Sequence, residues 1–346
     1  MGIKFTLSRL FAKAVEWKNQ KWDRNPPIKI HSIPIVSIGN ITVGGTGKTA
    51  LIENLIYFLQ KNNVAVGIVS RGYGGKYQGV AKVDPSEPNA SEMYGDEPTM
   101  LAKKFNRVPI YLCPKRCRAT RALIDVNPEV EIIIADDGFQ HRALYRDLDV
   151  ALLDLSQPME TYELLPLGMA REPLKNLSRA DWVILTKGNL ADSQNKESLL
   201  NWFSQQEWWK EQNIARAEFN LTGIKKWNEG DCQKFSLKSY VLVSALGNPK
   251  AFESSCKELI GPKMIKHFQF EDHHSYNLQD VEHICSYLDE HHVELLVTSA
   301  KDAVKLEKFR EKLPPVWVTQ LGVKIVSIDS DNEDNKFYED ILRLVR

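Results

Sequence analysis

Short apolar runs, many of them rich in β-branched residues, alternate with helical or loop segments from residue 33 onward. Runs of this kind, bounded by polar or glycine-containing segments, predict buried strands. In the first part of the chain they are IPIVSIGN, VAVGIVSRG, VPIYLC, VEIIIADD, LDVALLDL and ADWVILTK, with helical segments such as TALIENLIYFLQ and RCRATRALID between them. This alternation predicts an α/β fold with a doubly wound, mostly parallel sheet.

The alternation pauses after residue 200 and then resumes. A polar, Trp-rich segment (NWFSQQEWWKEQN) and an extended stretch (IARAEFNLTGIKKW) precede four further apolar runs, SYVLVSAL, MIKHFQF, VELLVTSA and KIVSID. A chain of 346 residues exceeds the usual size of one core. We therefore expect two domains: residues 1–215, with an N-terminal helix, and residues 216–346, a smaller α/β domain that closes over a cleft.

The segment before Pro26 has a helical period. One stripe of this helix carries Ile3, Leu7, Leu10, Phe11, Ala14 and Trp17. The helix ends before Pro26 and Pro27, because proline disrupts a helix interior. Two interpretations remain open: a helix packed on the core, or a helix lying on an anionic membrane surface, which the excess of basic residues favours. No apolar run is long enough to predict a membrane-spanning helix.

Composition and charge narrow the function classes. Hydrophobic residues make up 43% of the chain and charged residues 26%, as in a globular protein. Lys+Arg and Asp+Glu number 45 each, so the whole chain lacks the positive charge of a general nucleic-acid-binding protein, and we expect no nucleic-acid partner. The five cysteines are odd in number and scattered, and no signal peptide is evident, which predicts a reducing, cytoplasmic setting.

The sequence VGGTGKT, between a predicted strand and a predicted helix, is close to a phosphate-binding loop. Its glycines let backbone amides turn toward an anion, Lys48 can reach the terminal phosphates, and Thr49 offers a hydroxyl to Mg²⁺. The chain has Thr42 where the usual pattern begins with glycine. The predicted nucleotide-binding residues are Thr42, Val43, Gly44, Gly45, Thr46, Gly47, Lys48 and Thr49.

Carboxylates and imidazoles follow several of the predicted elements. The run VEIIIADD ends in Asp136 and Asp137, which predicts carboxylates beside the loop, as in a Walker B element. In MYGDEPTM, a loop meets a helix at Asp96 and Glu97, where helix capping is the alternative role. In FEDHHSYNLQD, His273 and its neighbours precede a helix that we expect to begin near residue 277. A carboxylate and an imidazole from two domains would form a base dyad across a cleft.

The ordered set GNITVGGTGKT, SRGYGG, GDEP, DDGFQHRAL, LPLGMAREP, FEDHH and TSAKDAVKL resembles the tetraacyldisaccharide 4'-kinase family of lipid A biosynthesis over nearly the whole chain. The resemblance implies a P-loop fold with a second α/β domain. It also implies transfer of the γ-phosphate of ATP to the 4'-hydroxyl of a membrane-embedded, acylated glucosamine disaccharide 1-phosphate, with Mg²⁺ as the metal.

The same resemblance implies roles for individual residues. Lys48 contacts phosphate, and Thr49, Glu97 and Asp136 form the metal side of the site. Asp96 is the expected base and His273 its partner, although His274 leaves open which imidazole faces the cleft. The expected substrate contacts are Arg71, Asp137, His141 and Arg171.

A different class of protein shares several of these features. A membrane-associated P-loop NTPase switch would also carry the loop and the amphipathic helix, but it would hydrolyse nucleotide without a small-molecule acceptor. The segment TKGN resembles a guanine-reading loop, but Asn189 stands where such a loop needs aspartate, so ATP is the expected nucleotide. We expect a monomer that lies peripherally on the cytoplasmic face of the inner membrane, contacts anionic lipid through its N-terminal helix and acts on an acylated disaccharide lipid.

Overall fold

The computed structural model describes residues 2–29, 31–189, 191–227, 232–233, 239–272, 274–328 and 335–346. Its helices are α1 (Gly2–Arg24), α2 (Lys48–Lys61), α3 (Ala90–Tyr94), α4 (Asp96–Lys104), α5 (Arg116–Val126), α6 (Ser193–Ser204), α7 (Pro249–Ile260), α8 (Leu278–Glu290), α9 (Ala300–Leu306) and α10 (Asn335–Arg343). Short 3₁₀ helices lie at Met159–Tyr162, Leu174–Arg179, Glu207–Glu211 and Glu307–Lys312.

The strands are β1 (Ile35–Asn40), β2 (Val66–Ser70), β3 (Ala81–Lys82), β4 (Ile110–Leu112), β5 (Ile132–Asp136), β6 (Leu148–Asp154), β7 (Trp182–Thr186), β8 (Asn213–Lys226), β9 (Cys232–Gln233), β10 (Tyr240–Ser244), β11 (Met264–Gln269), β12 (Leu295–Thr298) and β13 (Val316–Ser327). Every apolar run that predicted a strand contains one. We refer to β1–β7 with their helices as the first half, and to β10–β12 with α7–α9 as the second half.

All of these strands belong to one sheet, in the order β11-β10-β12-β13-β8-β7-β6-β1-β5-β2-β4-β3, with β9 added beside β8. Neighbouring strands are parallel except for three pairs, β3–β4, β8–β9 and β8–β13. The predicted α/β class with a mostly parallel sheet is confirmed. Strands of this kind are apolar on both faces because helices cover them, which explains the continuous apolar runs in the sequence.

The long strands β8 and β13 join the two halves. They pair antiparallel from Trp317 with Lys226 to Ser327 with Ala215. The start of β8 also pairs in parallel with β7, and the start of β13 pairs in parallel with β12. The two parallel regions are therefore continuous through this ribbon. The division at residues 215 and 216 stays a prediction.

The C-terminal helix α10 packs on the first half. Phe337 and Ile341 are fully buried in the same apolar cluster as Trp182. The Trp182 indole donates a hydrogen bond to Asp340 Oδ2 at 3.2 Å. Tyr338 donates from its hydroxyl to Asn54 Oδ1 at 2.8 Å. The end of the chain thus covers α2, the helix that begins at the VGGTGKT loop.

Helix α1 is attached through polar contacts and exposes its apolar stripe. Ser8 donates to the carbonyl of Leu164 at 3.0 Å, and Asn19 donates to Glu172 at 3.0 Å. Four stripe side chains remain exposed: Ile3 (80%), Leu7 (49%), Leu10 (59%) and Trp17 (70%). Packing on the core is therefore not their role in this structure. Among the described residues, no helix combines the length and the apolar character needed to cross a membrane.

The order of strands explains where a ligand site can form. Strand β1 lies between β5 and β6 and is parallel to both. The chain leaves β1 toward one side of the sheet first and reaches β6 on the other side later. In open α/β sheets, ligands bind outside the carboxyl ends of the strands at such a switch point. Strand β1 ends at Asn40 and β5 at Asp136, so their carboxyl ends define the site.

Candidate functional site

The loop after β1 has the backbone that phosphate binding requires. Gly44 and Gly47 have positive φ angles of 104° and 93°, which side chains rarely permit. A Cβ atom on Gly47 would also lie 2.5 Å from the ring of Phe219, so a side chain there would displace that ring. Gly47 caps the 14-residue helix α2. Backbone amides at a helix N-terminus attract anions. The VGGTGKT loop leads directly into the N-terminus of α2, as its sequence predicts.

The entrance of the loop explains the absence of its first glycine. Thr42 is buried and forms an antiparallel bridge with Ala170. On either side of it, the amide of Val43 donates to the Met169 carbonyl at 2.9 Å, and the amide of Arg171 donates to the Ile41 carbonyl at 2.6 Å. Because these contacts hold the entrance extended, glycine's conformational freedom is not needed at Thr42.

The ammonium of Lys48 lies between a polar side chain and a carboxylate. Its Nζ atom is 3.3 Å from Asn40 Oδ1 and 3.5 Å from Asp137 Oδ1. Arg171 binds both oxygens of Asp137, at 2.8 and 2.9 Å, and also contacts the Asn40 side chain. Lys48, Asp137 and Arg171, which are separated in the sequence, therefore form one network.

The charge of Asp137 follows from this network. Burial alone would raise the pKa of Asp137, but the Arg171 guanidinium and the nearby charges of Lys48 and Arg116 outweigh it. The pKa of Asp137 is consequently held well below its usual range. Asp137 is therefore an ionised partner of the loop lysine, and the guanidinium of Arg171 is occupied by it. The substrate contacts predicted for both residues stay predictions.

The three candidate metal ligands are Thr49, Glu97 and Asp136. Thr49 donates from its hydroxyl to Glu97 Oε2 at 2.8 Å, and Ser70 donates to Asp136 Oδ2 at 2.8 Å. The second oxygen of Asp136 is buried and has no hydrogen-bond partner within the described part of the chain. Burial, followed by the negative charge of Glu97, raises the pKa of Asp136 to about 6. A cation bound at Asp136 would offset both the burial of the carboxylate and the repulsion by Glu97.

Thr49, Glu97 and Asp136 suit a magnesium ion that also binds water and phosphate better than a metal ion bound by protein side chains alone. The described residues contain no group of three or more His, Cys, Asp or Glu side chains that could hold a metal. Mg²⁺ usually takes one or two carboxylates and completes its shell with water and phosphate oxygens. Glu97 and Asp136 with the Thr49 hydroxyl match that requirement.

Asp96 is the first residue of α4, as the GDEP motif predicts. The preceding Gly95 has a φ angle of 92°, and a Cβ atom there would lie 2.7 Å from the carbonyl oxygen of Tyr73. The Asp96 carboxylate is 3.4 Å from the ammonium of Lys305, which comes from α9 in the second half and is 7% exposed. Lys305 is a residue that the site prediction missed. Its only sequence signal is its place in TSAKDAVKL.

The histidines of FEDHH are placed only in part. His273 lies outside the described residues, so its pairing with Asp96 stays a prediction. His274 is engaged at the start of α8: its Nε2 atom is 2.8 Å from Asp280 Oδ2, and its ring stacks on Phe270 with centroids 4.8 Å apart. Asn277 caps α8, as predicted.

Two further predicted substrate contacts differ in their charge. The Arg71 side chain is exposed, and its backbone carbonyl accepts a hydrogen bond from the Tyr77 hydroxyl. His141 is half-buried, and burial together with nearby cations such as Arg116 lowers its pKa to about 4. His141 is therefore neutral at physiological pH and brings no positive charge to a phosphate. The substrate roles of both residues stay predictions.

A glycine-rich loop capping a helix, a lysine at its end and carboxylates at the adjacent strand ends define an enzyme of the P-loop phosphotransferase class. The model of the tetraacyldisaccharide-1-P 4'-kinase family matches residues 4–343, so the chain belongs to that family. The resemblance found in the sequence motifs is confirmed, and family membership makes the chain an ATP-dependent kinase.

Individual relatives agree with the family assignment. The chain is 34% identical over 321 residues to the tetraacyldisaccharide 4'-kinase of Bdellovibrio bacteriovorus, covering 92% of this chain and 93% of that protein. The relative of the same name from Francisella philomiragia is 35% identical over 283 residues, covering 80% and 82%. Among solved structures, LpxK from Aquifex aeolicus, crystallised in complex with ATP, matches with a TM-score of 0.75, 26% identity and coverage of 99% and 98%.

Proposed function

We propose that this protein transfers the γ-phosphate of ATP to the 4'-hydroxyl of a tetraacylated glucosamine disaccharide 1-phosphate, a lipid A precursor. One observation carries the proposal. Asp96, the candidate base, directly precedes Glu97, whose carboxylate accepts a hydrogen bond from Thr49 of the phosphate-binding loop. The candidate base would thus lie next to the nucleotide phosphates, where an acceptor hydroxyl has to attack. The names of the relatives supply the identity of that acceptor.

The nucleotide phosphates would be held by the loop from Thr42 to Thr49. Phosphoryl transfer depends mostly on positioning and on neutralising charge. Lys48 supplies a cation for the transferring group. Asp137, kept ionised by Arg171, holds the Lys48 ammonium at the strand ends before ATP arrives. This preorganisation avoids rearrangement of the charge during the reaction.

Thr49, Glu97 and Asp136 would hold Mg²⁺. When bound, Mg²⁺ neutralises charge on the phosphate oxygens. The unpartnered oxygen of Asp136 and its raised pKa support this assignment, because a nearby cation would favour the carboxylate.

On the acceptor side, Asp96 would take the proton of the 4'-hydroxyl. The ammonium of Lys305 would hold the Asp96 carboxylate in place from the second half of the sheet. His273 remains the second predicted partner of Asp96.

The lipid would be reached at the cytoplasmic face of the inner membrane, with the protein bound peripherally. The exposed stripe of α1 is accompanied by basic Arg9 and Lys13, a combination typical of helices on anionic membrane surfaces. The loop that Ser8 contacts carries two more exposed apolar side chains, Leu167 (40%) and Met169 (41%). Met169 adjoins the entrance of the phosphate-binding loop. A membrane surface would therefore extend from α1 toward the reacting phosphate.

ATP turnover with and without an acylated glucosamine disaccharide 1-phosphate tests the proposed function. We expect ADP to form only with the acceptor and labelled γ-phosphate to appear on the lipid. ATP hydrolysis at the same rate without acceptor would instead favour the nucleotide-switch alternative. A variant with Asp96→Asn separates acceptor activation from nucleotide binding, because it should bind ATP normally yet lose transfer.

Vesicle binding tests the membrane part. Replacing Ile3, Leu7, Leu10 and Trp17 by serine should release the protein from vesicles containing phosphatidylglycerol, because it removes the apolar area that enters the interface. A control variant replaces two exposed apolar side chains elsewhere, Ile265 and Leu321, by serine. Equal vesicle binding by both variants would contradict the role of α1.

A further inference from the structure

We propose that Lys187 is a positioning residue of the phosphate-binding loop, and this inference rests on the proposed use of that loop for ATP. The Lys187 ammonium holds the Gly45 carbonyl on the outer side of the loop. The following amide, that of Thr46, is thereby turned toward the nucleotide phosphates. Lys187 lies in TKGN, a segment in which Asn189 argues against a guanine-reading loop. The contacts of Lys187 indicate a different role.

The ammonium is held at short range by two groups. Lys187 Nζ is 2.5 Å from the Gly45 carbonyl oxygen and 2.6 Å from Asp154 Oδ2. Asp154 is 4% exposed, and its other oxygen accepts hydrogen bonds from the amide and hydroxyl of Ser156, at 2.9 and 2.6 Å. The carboxylate is thus fixed in a buried position. It can direct the lysine to a single point on the loop.

The backbone at Lys187 is adapted to this contact. Lys187 has a φ angle of 56°, in the left-handed region that residues other than glycine seldom adopt. Such conformations cost free energy and persist where the surrounding structure enforces them. Strand β7 ends at Thr186, which pairs with Asp154 at the end of β6. The turn after β7 therefore sends the side chain along the strand ends toward β1 and its loop.

The orientation of the Gly45–Thr46 peptide needs such a restraint. In a planar trans peptide, the carbonyl oxygen and the next amide hydrogen point to opposite sides. Gly45 has no side chain, and a Cβ atom there would meet nothing within 4 Å, so no side-chain packing at Gly45 fixes this peptide. An inward amide binds phosphate, whereas an inward carbonyl would repel it. Holding the carbonyl outward with a cation selects the binding orientation.

Calorimetric titration of the full-length protein with ATP and with ADP tests the inference. Lys187→Met should raise the Kd of both nucleotides by the same factor, about tenfold or more, because the loop amides contact phosphates common to both. In Lys187→Met, the buried carboxylate of Asp154 loses its partner, and this variant could therefore fold poorly. In that case the double variant Asp154→Asn/Lys187→Met, which also removes the carboxylate charge, is used for the titration. The matched control is Lys257→Met, an exposed lysine paired with Glu253 on α7.

The outcomes separate the inference from the proposed function. If the wild-type protein does not bind ATP, the proposed function fails. If the wild-type protein binds ATP and the Lys187 variants bind it equally well, the positioning role is wrong, even if their Tm falls. A loss confined to ATP would assign Lys187 to a direct contact with the γ-phosphate and would also overturn the inference.

Discussion

The carboxyl ends of the strands form two different edges in the two halves of the sheet. In the first half, Lys48, Asp137 and Arg171 form a network in which Arg171 lies 2.8 Å from Asp137. In the second half, Lys301 lies 3.5 Å from Asp272, and Lys305 lies 3.4 Å from Asp96 of the first half. At the first edge, Lys48 and Arg171 share the carboxylate of Asp137. The second edge reaches the site through a small set of charged side chains.

This difference indicates a division of labour. Phosphate binding needs several donors at fixed positions, and short, mutually bonded groups provide them. Activation of an acceptor needs one carboxylate that is held in place until the acceptor arrives. We therefore expect changes at the first edge to abolish the reaction and changes at the second edge to reduce it.

The largest effect is expected at Lys48. Lys48→Ala should lower kcat by about 10³-fold, because it removes the cation that stabilises the transferring phosphoryl group. The fold should persist, since the side chain is not part of the apolar core. Steady-state kinetics and Tm measure the two effects, with Lys61→Ala at the other end of α2 as the control. Near-normal kcat in Lys48→Ala would remove the basis of the P-loop assignment.

A smaller loss is expected from the second edge. Lys305→Met should lower kcat by about 10- to 100-fold, because the Asp96 carboxylate loses its buried counterion. If Lys305 acts only through Asp96, the double variant Asp96→Asn/Lys305→Met should be no worse than Asp96→Asn alone. Lys308→Met is the control on the neighbouring 3₁₀ helix. Kinetic losses that multiply in the double variant would show that Lys305 acts independently of Asp96.

The same double-variant design tests His273. We predict that His273→Ala lowers kcat strongly and that Asp96→Ala/His273→Ala is little worse than the more damaging single variant. A normal kcat in His273→Ala would end the proposed dyad, and the base would have to be sought among His274, Asp137 and His141.

Sequence patterns predicted the features of this site that are local. The strands, the loop from Thr42 to Thr49, and the helix starts at Asp96 and after Asn277 each depend on a short stretch of chain. The pairing of β8 with β13 was not predicted, because these strands are separated by the whole second half. The contacts of Arg171 with Asp137 and of Lys305 with Asp96 were missed because they also join residues that are far apart in the sequence.

The opposite behaviour of Asp136 and Asp137 also lay beyond sequence reasoning. The two are adjacent, yet one faces Glu97 and the other faces Arg171 and Lys48. A motif names both carboxylates as one acidic pair. Only the fold assigns their neighbours, and the neighbours determine the direction of each pKa shift.

That difference predicts stability changes of opposite sign. With its pKa raised to about 6, Asp136 binds its proton more tightly in the folded state, so its ionisation destabilises the fold as pH rises from about 4 to 6. Without Mg²⁺, Asp136→Asn should therefore increase the free energy of unfolding at pH 8 by up to about 3 kcal/mol and raise the Tm accordingly. At pH 4 the same substitution should leave the Tm nearly unchanged. Asp137→Asn should lower the Tm at pH 8, since the charge of Asp137 is stabilised. Thermal unfolding at both pH values measures this, and equal effects of the two variants would contradict the described charges.

The smallest effect is expected from the outer ion pairs between the halves. Lys103 lies 3.5 Å from Glu307, and Lys308 lies 3.7 Å from Glu92, with all four side chains between 30% and 47% exposed. Exposed pairs contribute about 0–1 kcal/mol and are screened by salt. Lys103→Gln/Lys308→Gln should therefore change kcat by less than about threefold, and the difference from wild type should shrink at high ionic strength. Lys305→Met should keep its full effect in salt, because Lys305 is buried. If Lys103→Gln/Lys308→Gln lowered kcat as much as Lys305→Met, the whole charged interface between the halves would contribute to the reaction. The special role of the Lys305–Asp96 contact would then be wrong.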